Sequence, residues 1–193
     1  MLNRDNEPVL PSHDSVPELC NRMADFFQDK IKAIHSSLDE IRNTSGLNYN
    51  GEQCAATASQ MGSFKLVTDS DIMKIVKSSP SKSCCLDPVP TAIVKECLDV
   101  LVPIITRIVN QSFETCKVPF SFKIAAVTPL IKKLNLIPDI LKNFRPLSNL
   151  PFLSKILEKV AAKQMINYAN VNELREVMQS AYRQFCSTET AML

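Results

Sequence analysis

Asn143-Phe-Arg-Pro-Leu-Ser-Asn-Leu-Pro-Phe-Leu-Ser-Lys-Ile-Leu-Glu-Lys159 changes periodicity halfway along. Up to Leu147 the residues suit an extended segment, and Pro146 biases Arg145 away from the helical region because the proline ring crowds the preceding residue. From Leu153 onward, Ile156, Leu157, Val160, Ala161 and Gln164 to Ile166 recur at helical spacing, with Pro151 tolerated in the first turn. Lys155, Lys159 and Lys163 stand four residues apart on the other face of that helix. Upstream, Phe122-Lys-Ile-Ala-Ala-Val-Thr-Pro-Leu-Ile-Lys-Lys133 crowds β-branched and apolar residues into a short run ended by Pro129 and a lysine pair, which predicts a strand. Residues 134–141 read as a loop, so Phe144 to Leu147 can return beside the strand as a hairpin or small sheet. The expected fold class is α+β, predominantly helical.

The helices come from the rest of the chain. Leu19, Met23, Phe26, Phe27, Ile31, Ile34, Leu38 and Ile41 predict an amphipathic helix from Pro17, about six turns long. Residues 1–16 read as a flexible lead-in, and residues 43–63, which hold all three glycines, as a linker. Phe64 to Val67 suits a short extended piece. Thr68-Asp-Ser-Asp71 offers four capping side chains for a helix ending near Ser78. In the proline-punctuated turn that follows, Asp87 and Thr91 are placed to cap the next helix. Its stripe is Leu98, Leu101, Ile104, Ile105, Ile108, Val109 and Phe113, and Pro103 makes it either one bent helix or two. The organisation expected is 1–63, tail, helix and linker, then 64–193, a partial domain, with nothing that demands two full domains.

Charge is distributed unevenly. Residues 1–80 hold 8 Lys and Arg against 11 Asp and Glu, whereas residues 81–193 hold 14 against 9, within an overall charge of +2. Residues 115–165 concentrate nine bases against two acids. Such clustering attracts phosphate backbones without sequence choice, although a solvated helix face accounts for it as well. Seven cysteines, an odd number without zinc-site spacing, read as reduced thiols. No apolar run is long enough to span a membrane and the N-terminus lacks a signal-peptide core, so a cytoplasmic or nuclear location without membrane partners is expected. Two histidines leave little for metal or nucleophilic chemistry, and no phosphate-cradling glycine motif is present.

Four blocks carry a resemblance to a known family: Ser78-Ser-Pro-Ser-Lys-Ser-Cys-Cys-Leu-Asp-Pro-Val-Pro-Thr91, Phe122 to Lys133, Asn143 to Lys159, and Gln179-Ser-Ala-Tyr-Arg-Gln-Phe-Cys-Ser-Thr-Glu-Thr190. They resemble the fingers motifs that open the reverse transcriptase domain of non-LTR (LINE, jockey-like) retrotransposons. Phe26-Phe27 with Lys30-Ile31 is similar to the segment preceding that domain. The resemblance covers about residues 20–193. It implies a fingers subdomain with a small β-hairpin behind a linker helix, and a parent RNA-directed DNA polymerase using magnesium. The family's catalytic aspartates lie in a palm beyond these blocks; the last aspartate here is Asp139. The expectation is therefore a front section without polymerase activity or cofactor of its own, with weak binding of RNA or an RNA–DNA hybrid. The different-class alternative is a helical module that binds protein, or itself, through exposed apolar helix faces.

By resemblance, Arg183 faces the phosphates of an incoming nucleotide, since a guanidinium pairs two oxygens at once. Ala181, Tyr182 and Cys186 depart from the family's Gly, Phe and His. Arg145 helps position template or nucleotide, or else bonds backbone carbonyls. Lys132 and Lys133 contact a nucleic-acid backbone, or guard a strand end. Lys155, Lys159 and Lys163 track phosphates, or form the wet side of a helix. Phe120, Phe122 and Phe144 stack bases or, as core packing predicts, fill the interior.

Overall fold

The computed structural model describes residues 9–44 and 61–174. They fall into two compact units, one within Met1–Ala55 and Ala125–Leu150, the other within Ala56–Ile124 and Pro151–Leu193. The hairpin therefore groups with the first long helix, not with the helices that flank it in sequence. The Gln179–Thr190 block, and most of the glycine-bearing linker, lie outside the described residues.

The helical unit contains α2 (Asp69–Ser78), α3 (Thr91–Glu96), α4 (Leu98–Thr115) and α5 (Phe152–Val171). Ile72 and Val76 of α2, Val94 of α3, four residues of α4 and Phe152, Ile156, Leu157 and Val160 of α5 form one core. The α4 contribution is Leu98, Val102, Ile105 and Val109. This corrects the expected stripe by a fraction of a turn: Val102 is core, whereas Ile104 is exposed. The open choice at Pro103 resolves into a break at Cys97, which caps α4, with Pro103 inside the helix. Pro103 and Asp99, four residues back, are both exposed, so the carbonyl left without an N–H donor lies on the outer side.

Among the four capping candidates Thr68 holds the position. Its hydroxyl accepts the Asp71 N–H while the Asp71 carboxylate accepts the Thr68 N–H, a reciprocal capping box. The Thr68 hydroxyl also donates to the Asp71 carboxylate at 2.7 Å, and that bond first, the Thr68 N–H second, holds the Asp71 carboxyl below the usual carboxylate range, with Lys74 and Lys163 assisting. Residues 64–67 dock as an extended piece through two carboxamides. Asn110 accepts the Val67 N–H at 2.9 Å and returns a bond to its carbonyl, and Gln164 does the same for Lys65. Each amide imitates a neighbouring strand for a segment that has none.

Asp87 and Thr91 do not cap α3, whose N-cap is Pro90 without a side-chain bond. Thr91 is fully buried, its N–H held by Ser83 Oγ and its hydroxyl donating to the Lys82 carbonyl. Asp87 reaches 65 residues ahead: its carboxylate accepts the Phe152 N–H opening α5 at 2.6 Å, and the Cys84 N–H at 2.6 Å. Phe122 and Lys123, expected to begin the strand, lie instead in a 3-10 turn, Phe120–Lys123. Its Phe122 carbonyl accepts from Ser154 Oγ on α5, and its side chain packs on the core. α4 ends with Cys116 in the left-handed region, φ 53°, and Lys117 N–H returns to the Ser112 carbonyl.

The other unit joins α1 (Val16–Thr44), longer than expected, to the antiparallel strands β1 (Ala126–Ile131) and β2 (Phe144–Asn149). The hairpin is as expected, but Pro129 does not end β1. Register sets Pro129 opposite Pro146, and Lys132 N–H donates to Asn143 O three steps farther along. Hydrogen-bonded pairs alternate with non-bonded ones, so the two prolines share a position where neither strand owes the other a donor. Phe144, fully buried, packs with Leu19 and Met23 of α1 and with Leu10, Phe27, Ile131 and Leu141.

Residues 9–15 are not a loose lead-in. Ser12 donates both N–H and hydroxyl to Asp139 at 2.7 Å, and Arg22 donates to the Ser12 carbonyl. These Ser12 bonds, with Arg22 nearby, hold the Asp139 carboxyl below its ordinary range.

Candidate nucleic-acid interface

α5 displays its lysines because its inner face is committed to the core, leaving positions 155, 159 and 163 on the flank. Lys159 and Lys163 are exposed and Lys155 is half-buried. Two grooves run along this helix. One, about 460 Å³, is lined by Ser79, Pro80, Lys82, Lys155, Glu158 and Lys159 among others. The second, about 710 Å³, takes Lys65, Asp71, Lys159, Lys163, Gln164 and Asn167. Lys159 borders both. Five lysines from three separate segments thus line the grooves, and the acids among the lining residues are Asp71 and Glu158.

Lys159 does more than face solvent. Its ammonium donates to Ser79 Oγ at 2.7 Å, and Lys95 donates to the Ser79 carbonyl. Ser79 is buried and follows the last turn of α2, donating its own hydroxyl to the Ile75 carbonyl at 2.7 Å. Two cations at a helix C-terminus offset its negative end, while Lys95 and the Ser79 hydroxyl each take up one carbonyl there. The middle lysine of the stripe therefore has a structural role, while Lys163 and Lys82 present exposed side chains.

The remaining expected residues lie elsewhere. Arg145 is exposed on β2, opposite Leu130, on the face of the hairpin away from buried Phe144. Its extended placement is as Pro146 predicts. Lys132 directly follows β1 and donates to the Lys142 carbonyl at 2.8 Å, and Lys133 is exposed beside it. These three belong to the unit that holds the hairpin, and the α5 grooves to the other. Arg183 lies outside the described residues. Of the aromatics, Phe144 and Phe122 are packing residues, whereas Phe120 is 79% exposed.

Sequence reasoning missed Lys65, Lys82, Lys95 and Ser79. Lys82 sat inside a quoted block and was detectable as a base near the stripe; the others become neighbours of α5 only through tertiary packing. Among the described residues, no three His, Cys, Asp or Glu side chains are grouped to hold a metal, so none is assigned to the magnesium of the resembled family. No described helix is long and apolar enough to cross a membrane.

Searches find no family model that matches the chain and no match among curated proteins.

Proposed function

We propose that this chain is the fingers section of a reverse transcriptase of the non-LTR, jockey-like type, and that its helical unit grips the sugar-phosphate backbone of RNA or an RNA–DNA hybrid. The observation that carries the reading is the convergence of Lys65, Lys82, Lys155, Lys159 and Lys163 on two adjoining grooves with two acids. Ammonium groups on flexible stems bind phosphate as point charges and release condensed counterions, which gives affinity that is strong at low salt and indifferent to sequence. The sequence blocks supply the polymerase part of the reading, and the small hairpin and predominantly helical build agree with it. Template contact is the function assigned. Phosphoryl transfer is not, because the two-metal reaction needs carboxylates fixing the ions, and the family's aspartate motifs are not in these 193 residues.

The test is binding of the purified chain to a fluorescent RNA–DNA hybrid across a salt series. The comparison is a variant carrying Lys65→Glu, Lys82→Glu and Lys163→Glu, all exposed positions that leave Lys159 on Ser79. The wild type should bind with a steep salt dependence, and the variant should flatten the log–log slope by about 2 to 3. Equal slopes would remove α5 from the interface; an Arg145→Glu, Lys133→Glu variant then asks whether the hairpin carries the charge contact.

A further inference from the structure

α1 changes character along its length. Leu19 and Met23 are buried against the hairpin, but every residue from Gln28 to Thr44 is exposed. Within that exposed part the large apolar residues are Ile31, Ile34, Leu38 and Ile41, between 51% and 57% exposed. Together with Phe27 they are spaced 4, 3, 4 and 3, the a/d pattern of a helix that packs along another helix. Ala24 occupies the preceding a position.

The charges are sorted around this seam. Taking Ile31 and Leu38 as a, and Phe27, Ile34 and Ile41 as d, the flanking e and g positions hold Gln28, Lys30, His35, Ser37, Arg42 and Thr44. None is acidic. Asp25, Asp29, Asp39 and Glu40 all fall at b, c or f, on the outer surface, where Asp29 pairs with Lys32 at 2.9 Å. Flank charges set partner choice in such packing. A second copy of α1 is a poor match. In parallel it sets Lys30 beside His35 and Ser37 beside Arg42; antiparallel, it sets the Lys30, Ser37 and Thr44 edge against its own copy and the Gln28, His35 and Arg42 edge against its own. Neither arrangement places an acid against a base.

We infer that the exposed half of α1 is a docking seam for an amphipathic helix of another protein whose own apolar stripe is flanked by Glu or Asp. The occupant buries Ile31, Ile34 and Leu38 and sets its acids against Lys30 and Arg42. This function is independent of nucleic-acid binding by α5.

The probe is a synthetic three-heptad peptide with Ile at a, Leu at d and Glu at every e and g, beside a counterpart with Lys at every e and g. Binding to the full chain is followed by fluorescence anisotropy, with sedimentation of the chain alone. The Glu-flanked peptide should bind at least about tenfold tighter than the Lys-flanked one, a gap that narrows at high salt. Leu38→Asp, at an exposed position, should abolish it. The paired variant Lys30→Glu, Arg42→Glu should invert the preference, a result that loss of folding cannot imitate. Failure of both peptides, equal binding of both, or self-association of the chain abolished by Leu38→Asp would each overturn the proposal.

Discussion

Replacing Asp87 tests how the helical unit is tied together. Its carboxylate accepts two backbone N–H groups at 2.6 Å, one closing the Cys84–Asp87 turn and one opening α5. Hydrogen bonds to a charged partner contribute about 1.5 to 3 kcal/mol each, and a half-buried side chain belongs at the lower end, so Asp87→Ala should cost about 3 kcal/mol. Asp87→Asn keeps one acceptor oxygen but turns an NH₂ toward the second N–H, and should cost about 1.5 kcal/mol. With a urea slope of about 2 kcal/mol per molar, the alanine variant unfolds about 1.5 M earlier. Urea unfolding followed by far-ultraviolet circular dichroism measures the loss. Amide hydrogen exchange localises it, because Phe152 and Cys84 should lose protection while Asp71 in α2 keeps its own. A variant within about 0.5 kcal/mol of wild type, the range of an ordinary surface substitution, and with Phe152 still protected, would refute the long-range cap.

Four further outcomes follow from the packing. Ile156→Ala, at a fully buried core position, should destabilise the helical unit by about 2 to 5 kcal/mol in the same urea assay. Asn110→Ala removes both bonds to Val67 and should cost about 2 kcal/mol, with residues 64–67 becoming the first site of limited proteolysis. Cys116→Gly relieves a left-handed residue at the end of α4 and should raise the melting temperature, by an amount equivalent to about 0.5 to 1 kcal/mol. For the Ser12–Asp139 clip, the carboxyl is held below its ordinary value of 3.8 in the folded chain. Its contribution is therefore fully present above that value and lost as pH falls below it through the folded value; Ser12→Ala should weaken the dependence, since the residue 12 N–H still donates to the carboxylate, and Asp139→Asn should abolish it, read from exchange of the residue 12 amide.

Local patterns carried much of this fold and little of its wiring. The 3.6-residue spacing in α1 and α5, the Thr68–Asp71 capping group and the hairpin between Pro129 and Pro146 were legible because each depends on neighbours in sequence. Asp87 was misread for the same reason: it was placed to cap the helix that follows it, whereas it opens a helix 65 residues ahead, across a tertiary contact. The α4 stripe was misphased since Ile104 and Val102 are equally apolar, and only the position of α5 decides which is covered. In the grooves, the lysine row of α5 was visible as spacing. Lys65, Lys82 and Ser79 were not assignable to it, because an extended segment and a turn have no periodicity that points toward a helix.

The facing prolines of the hairpin also act outward. A non-bonded pair directs its backbone groups away from the partner strand, toward the two free margins of the sheet. At Pro129 and Pro146 each margin thus lacks its central N–H, and a ring stands where an incoming strand would need a donor. Neither side offers a complete template, so the ribbon stops at two strands by its own covalent structure, and a second molecule cannot extend it by main-chain pairing through the middle.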